Sequence, residues 1–300
     1  MTRWCFVYHD PEPESDGWTL PRGFATALRQ QGVDLWTVTF ADPTRVELPS
    51  CELIRQRGVE VLLVFYAGRS VALEQELLRL RLGTDVLIIN ELGDEPQTRP
   101  LNGVRVQLSH LCLSPDAASA AHWQALGARC TWFTHWADTA LFHRQPDVPR
   151  QRRIVTTVGR RRYARLLRFV FGQAFVNQRC SGAENTALYN GGLIAFQYAR
   201  WGEVTRRVFE AAACGCCVVT NRLPETAGLG RLFPDGEAIV FYDHGWDLVR
   251  RIGELMRHPQ RAESIGARAQ AIVDQGHTQQ ARASQLVDLV VELRAGMKAP

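Results

Sequence analysis

Apolar residues recur along the chain in two alternating rhythms. Short β-branched or aromatic runs suited to strands are separated by stretches with the three-to-four spacing of a helix face, and glycine or proline marks most junctions. Residues 4–9 (WCFVYH) form the first strand-like run, followed by an acidic, proline-rich turn at 10–16 and a helix from Leu20 through Phe24 and Leu28 to Gly32. The pattern repeats as strand 33–40, helix 51–57 closed by Gly58, strand 59–66, helix 71–82 and strand 85–90. The run at 59–66 is continuously apolar, as a strand buried on both faces requires. A strand near Leu111, a helix at 117–126 ended by Gly127 and a strand at 129–134 close this series. Strands alternating with helices at this pace predict an α/β fold with open, mostly parallel sheets and helices on both faces. Ligands gather at the carboxyl ends of such strands.

The polar, proline-bearing segment 144–153 (RQPDVPRQRR) reads as a linker that divides the chain into residues 1–148 and 149–300. A second series follows: strand 154–158 with Gly159, three arginines at 160–162, a helix through Phe171, strand 175–178, a helix at 185–190 and strand 193–198. Helix 205–214, Gly215, strand 217–220 and a glycine-rich loop at 223–230 come next. A last strand at 238–242 and a helix at 246–256 lead into a helical tail, 261–294, broken near Gly276. In that tail Leu286, Leu289, Val290 and Leu293 form an apolar stripe that predicts burial.

Length and composition sharpen this picture. At 300 residues and 46% hydrophobic composition, the chain can supply two domains with their own cores, which excludes a disordered chain. A net charge of +4, with arginines scattered except near 150–165, favours an anionic ligand over an extended nucleic-acid footprint. The charge balance leaves a polyanionic partner open. The eight cysteines lie mostly in apolar stretches, and the single C-x-x-C at 214–217 has no second pair to complete a zinc site, so a reducing cytoplasm is expected. No uncharged apolar run reaches about 18 residues and the N-terminus lacks a basic-then-apolar signal, so neither export nor a membrane span is expected.

Candidate chemistry concentrates in the stretch 205–221 (TRRVFEAAACGCCVVTN). Glu210 follows Phe209 and precedes the small-residue run 211–213, so this helix face can approach a flat ligand while carrying one carboxylate. A carboxylate there accepts two hydrogen bonds from a cis-diol such as a ribose, and Arg206 or Arg207 can meet phosphate oxygens. On spacing alone the same three charges would equally suit an exposed helix face. Gly159 at a strand exit, followed by Arg160, lets backbone N–H groups and the next helix start face a diphosphate, although the motif is not G-x-G-x-x-G. Three polar clusters stand at strand ends of the first half: His9, Asp10 and Asp16; Glu91, Gly93, Asp94, Glu95 and Pro96; Ser114, Pro115 and Asp116. Turn chemistry and catalysis both account for them. His110 and His122 read as core or helix-face residues without a third metal ligand.

The run R-x-F-E-A-x-A-x-G (Arg207, Phe209, Glu210, Ala211, Ala213, Gly215), followed by a strand and an E-x-x-G-L loop (Glu225, Gly228), resembles the donor-site signature of GT-B glycosyltransferases. More narrowly it is similar to the CgeB-like, group 1 family. Asp94-Glu95-Pro96 resembles that family's D-D-P turn with glutamate in second place, and His277-Thr278 resembles its H-T pair before a last helix carrying Arg282. The likeness covers essentially the whole chain. It implies two Rossmann-like domains facing across a cleft, the first (1–148) for an acceptor and the second (149–300) for a nucleotide sugar, with the last helix returning to the first. Glu210 then holds the ribose and Arg207 lies near the diphosphate, with Gly159, Arg160, Phe209, Thr220 and Glu225 completing the donor site. The implied reaction moves a sugar from a UDP-class nucleotide-diphosphate sugar to a hydroxyl of a glycan, protein, small molecule or modified nucleobase. Neither cofactor nor metal is implied, in keeping with the lack of a D-x-D near the donor motif. For an inverting reaction Asp16 and Asp94 are the candidate bases. One departure stands out: six residues separate Glu203 from Glu210, and Gly202 stands where retaining relatives place the first of two glutamates. A sugar-nucleotide epimerase of the same architecture, or a donor-binding partner subunit with decayed catalytic residues, are the alternatives.

Overall fold

The structure, a computed structural model, describes residues 2–10, 20–42, 45–66, 71–157, 163–178, 180 and 182–298. By packing, the chain divides into two compact units, Met1–Thr134 with Gln279–Pro300, and His135–Thr278.

The first unit is built on six parallel strands: β1 (Arg3–His9), β2 (Asp34–Phe40), β3 (Val59–Phe65), β4 (Leu87–Glu91), β5 (Leu111–Ser114) and β6 (Cys130–Trp132). Their order in the sheet is β2-β1-β3-β4-β5-β6. Helices α1 (Leu20–Gln30), α2 (Cys51–Gln56), α3 (Val71–Gly83), α4 (Gly103–Leu108) and α5 (Ala117–Ala125) connect them. β3 is buried along almost its whole length, which is what its unbroken apolar run requires. Phe6 of β1, Phe24 of α1 and Phe65 of β3 meet ring to ring, with centroids 5.2 to 6.0 Å apart. Aromatic contacts at this separation add to the area they bury.

The second unit has five parallel strands, β7 (Gln151–Thr156), β8 (Phe175–Asn177), β9 (Gly192–Phe196), β10 (Cys217–Asn221) and β11 (Val240–Tyr242), in the order β11-β10-β9-β7-β8. Its helices are α6 (Ala164–Phe171), α7 (Gly182–Gly191), α8 (Arg206–Ala213), α9 (Leu229–Leu232), α10 (Gly245–Arg257) and α11 (Pro259–Gly276). Helix α8 begins after Thr205 and ends at Cys214, and Gly215 takes φ +72° to turn the chain into β10. A side chain at Gly266 of α11 would meet the Gly215 carbonyl oxygen at 2.2 Å, so glycine there lets α11 lie directly on this turn. The segment 144–153 is held within the second unit. Arg144 Nη1 and the Gln145 N–H donate to Asn190 Oδ1 at 3.1 and 2.8 Å, and Arg150 donates to the carbonyls of Gly192 and Cys214. Charged and proline-rich composition is shared by linkers and by such pinned segments, so long-range partners decide between them.

The last helix, α12 (Gln279–Lys298), packs on α1 and so belongs to the first unit. Ala283, Leu286, Val290 and Leu293 are its buried stripe, and Arg294 reaches Glu60 at 2.8 Å. Just before it, the Ala137 N–H donates to the His277 carbonyl at 2.9 Å, and Ala137 bridges Thr278. This contact ties the start of the second unit to its end.

Candidate functional site

In the second sheet β7 is followed by β8 on one side and by β9 on the other. Ligands of open parallel sheets bind beyond the carboxyl ends of strands where the winding reverses in this way. Thr157 leaves β7 there, and Gln197 leaves β9. Between them stands Tyr189 of α7, fully buried, with its hydroxyl 3.4 Å from Thr157 Oγ1 and 3.4 Å from Gln197 Nε2. Gln197 Oε1 is buried with no partner among the described residues, as is Oγ1 of Thr205, which caps α8 with its backbone only. A buried polar atom left unpaired costs about 1–3 kcal/mol, and such atoms mark a site more often than a core.

Glu210 projects from α8 into the same neighbourhood. Its side chain is buried, its Oε1 lies 3.5 Å from Arg206 Nε, and no hydrogen bond from the described residues reaches its carboxylate. Its charge is felt nearby. Burial, with the Glu210 charge next in effect, raises the Tyr189 hydroxyl well above its ordinary pKa, and Arg207 works against this. Burial also raises the Asp138 carboxyl; the Ala140 N–H opposes that shift and the Glu210 charge adds to it. His135 is held neutral, its pKa lowered to about 3 by burial and the Arg206 charge, while a hydrogen bond with the Val204 backbone acts in the opposite sense. Glu210 is therefore the centre of a polar group in which Asp138 and Tyr189 are buried and Arg206 and Arg207 half-buried.

The loop leaving β9 is fixed by short contacts. Asn221 Oδ1 accepts the Ala199 N–H at 2.8 Å, Glu203 Oε2 accepts the Trp201 N–H at 2.6 Å, and Gly202 takes φ +72°. Glu203 thus braces the loop, and Trp201, with Arg200 stacked 4.0 Å above its ring, is exposed on it.

The other expected donor-site residues separate by environment. Phe209 is fully buried against Phe233, His277 and His135, with centroids 5.5, 5.3 and 6.5 Å away, so its ring is core packing beneath the polar group. Thr220 is buried within β10. Glu225 is exposed at the first position of a 3-10 turn, Glu225–Ala227. Gly159 and Arg160 lie outside the described residues, as does Asp16 of the first unit.

In the first unit the winding reverses between β1 and β3. Asp10, just beyond β1, is buried and bound by both arms of Arg22 at 2.8 and 2.9 Å. Tyr66, just beyond β3, has φ +56°, and its N–H donates to Glu91 Oε2 at 3.4 Å. Glu91 ends β4 as a buried strand residue rather than part of the following turn; its Oε1 has no partner among the described residues. Burial pushes its carboxyl up to about 7, the Tyr66 N–H and Arg105 opposing this and the Asp94 and Glu95 charges adding to it. Asp94 is exposed. Glu95 is fully buried and fully used: Oε1 accepts from Asn102 Nδ2 at 3.0 Å and Trp123 Nε1 at 2.9 Å, and Oε2 from Ser114 Oγ at 2.7 Å. Within the Asp94-Glu95-Pro96 turn only the first acid faces solvent. Tyr189, Gln197, His135 and Asp138 were not marked as site residues by sequence, whereas Glu91 stood there only as one of a polar cluster at a strand end.

Among the described residues no cluster of three or more His, Cys, Asp or Glu is placed to hold a metal ion. Cys214, Cys216 and Cys217 are free, buried thiols, and burial raises all three pKa values. No helix among the described residues is long and apolar enough to cross a membrane.

Comparison with known proteins places this arrangement. Residues 141–288, which contain the whole Glu210 group except His135 and Asp138, match a family model described as glycosyl transferase-like. The fold matches that of sucrose-phosphate synthase from Thermosynechococcus elongatus, with TM-score 0.71, 13% identity, and coverage of 98% of this chain and 100% of that one. A glycosyltransferase from Rickettsia africae matches with TM-score 0.67 and 10% identity, each chain covered fully. Anabaena HepE, solved with UDP and glucose, matches with TM-score 0.69 and 13% identity over 97% of this chain and 100% of that one. No curated protein sequence matches the chain. Two parallel α/β sheets and these fold matches give the chain the GT-B fold, and residues 141–288 carry the likeness to the glycosyl transferase-like family model. The matched region takes in most of the unit that carries Glu210 and the first half of α12.

Proposed function

We propose that the protein transfers a sugar from a UDP-class nucleotide-diphosphate sugar to an acceptor hydroxyl, with the second unit holding the donor and the first the acceptor. The observation that carries this reading is the Glu210 carboxylate: buried at a winding reversal, flanked by two arginines, and free of hydrogen bonds from the described residues. Such a group can accept both hydroxyls of a ribose, and Arg207 beside it, with Arg160, can meet diphosphate oxygens. Glu225, exposed at the loop beyond β10, is a further donor contact, whereas Phe209 and Thr220 support the site from beneath. That HepE has been solved with UDP-glucose supports the choice of donor class.

In the reaction the acceptor oxygen bonds to the anomeric carbon as the bond from that carbon to the diphosphate oxygen breaks. The nucleoside diphosphate leaves with the electron pair. Fixed cations and N–H groups stabilise the charge that develops on it, with no metal ion and no cofactor. For an inverting course the acceptor proton passes to a first-unit carboxylate, Asp94 or Asp16. The compartment that fits reduced, buried thiols is the cytoplasm.

The test is a panel of UDP and GDP sugars incubated with pure protein, with and without candidate acceptors, followed for released nucleotide and altered sugar. A transferase releases nucleotide faster when acceptor is present. A changed sugar without acceptor would establish an epimerase instead, and binding without turnover a partner subunit.

A further inference from the structure

The first unit carries a second cleft, of about 580 Å³, at the end of its sheet opposite Glu91 and Asp94. His110 and Arg129, which line it, stand immediately before β5 and β6, and Arg81 comes from the last turn of α3. The volume falls in the range of small-molecule sites, about 300–1,000 Å³. Its lining is chemically one-sided: Arg81 and Arg129 are present and no acidic side chain is. Neither arginine has an ion pair or hydrogen bond among the described residues, whereas Arg3, Arg22, Arg222 and Arg294 are each paired with an acid. His110 Nδ1 accepts the Ile88 N–H at 2.9 Å, so its proton sits on Nε2 as a donor. Burial and the charges of Arg81 and Arg129 lower His110 to about 4, which places both cations close to one neutral imidazole.

The remaining wall is mostly apolar, with Gln107 and Ser109 as its polar side chains. Val106, Leu126 and Met297 line it, and Leu126 and Met297 are 66% and 49% exposed. Trp123 closes it on the inner side, its ring in the cleft lining and its Nε1 donating to Glu95. Two unpaired guanidiniums repel each other unless an anion lies between them, and their planar forks suit phosphate geometry. An apolar wall beside them favours a ligand with a hydrocarbon body. We propose that this cleft is a second ligand site, separate from the sugar-transfer centre, for a phosphate monoester carried on a small apolar group. A soluble metabolite and a phospholipid headgroup share that chemistry.

Phenyl phosphate is the probe for the soluble source, titrated calorimetrically at fixed ionic strength with UDP in excess. One molecule should bind per chain, benzyl alcohol should not, and R81Q/R129Q should weaken phenyl phosphate at least tenfold while its melting temperature stays that of wild type. Co-sedimentation with phosphatidylcholine vesicles, with and without phosphatidic acid, tests the lipid source; retention only on the acidic vesicles, lost in R81Q/R129Q, would assign it. Binding in either arm that depends on the two arginines supports the site. Its absence in both arms, equal binding by R81Q/R129Q, or displacement of phenyl phosphate by UDP would overturn it.

Discussion

Arg206 precedes Glu210 by one turn of α8, and its Nε lies 3.5 Å from Glu210 Oε1. The pair neutralises a buried charge while leaving the carboxylate's hydrogen-bonding capacity for a ligand. Glu210→Ala should therefore weaken nucleotide binding by about 1–3 kcal/mol, the range for a lost hydrogen bond to a charged group. Calorimetry with UDP, GDP and their sugars reads this directly. Equal affinity in wild type and variant would remove Glu210 from the donor site.

In the proposed reaction Arg207 meets the charge that grows as the nucleotide leaves. Arg207→Ala should lower turnover more than donor affinity, because only transition-state contacts act on the chemical step. Arg207→Lys should restore part of the loss, since a point charge cannot make a two-pronged contact. Activity should also survive EDTA. Full activity in Arg207→Ala, or dependence on added Mn²⁺ or Mg²⁺, would contradict this account.

Glu95 has a structural task. Its carboxylate takes hydrogen bonds from Asn102, Trp123 and Ser114. Glu95→Ala removes the acceptor of three buried donors, leaving Trp123 Nε1 without one, and should cost about 1–3 kcal/mol in urea denaturation, whereas Asp94→Asn, which keeps a residue tolerant of φ +56° at an exposed position, should cost less than about 0.5 kcal/mol. If Asp94 is the base, its variant loses turnover at nearly unchanged stability.

Glu91 makes stability depend on pH in an unusual direction. Burial raises its folded carboxyl from the ordinary 4.5 to about 7, so between those values the folded chain holds a proton that the unfolded chain has released. Stability contributed by this group is greatest below about 4.5 and is lost as pH rises through about 7, a change on the order of 3 kcal/mol. Glu91→Gln should flatten that part of the urea-midpoint profile between pH 5 and 8. A profile shared by both proteins would show that Glu91 ionises normally.

Much of this architecture was legible in the chain because period and punctuation report local geometry. The α8–β10 unit, the buried run of β3, and the positive-φ glycines at positions 32, 58, 127 and 215 stand where the pattern predicts them. Helix α4 was not visible, since six residues carry too little periodicity and its place is set by packing. Glu95 and Glu91 differ for the same reason: both follow an apolar strand, and only three donors from distant elements, present for one and absent for the other, tell a structural acid from one with an open oxygen. Phe209 shows the converse. It sits in a functional signature, yet faces the core.

Helix α12 completes the first unit with the last residues of the chain, whereas residues 135–278 of the second unit are contiguous. On the ribosome this reverses the apparent order of assembly. The second unit has all its parts, including the Ala137–His277 contact that joins its two ends, before α12 has emerged. The first unit begins earlier but waits, with the α1 face that α12 covers still open to solvent. A chain released by premature termination after Thr278 would carry a whole second unit joined to an unfinished first one.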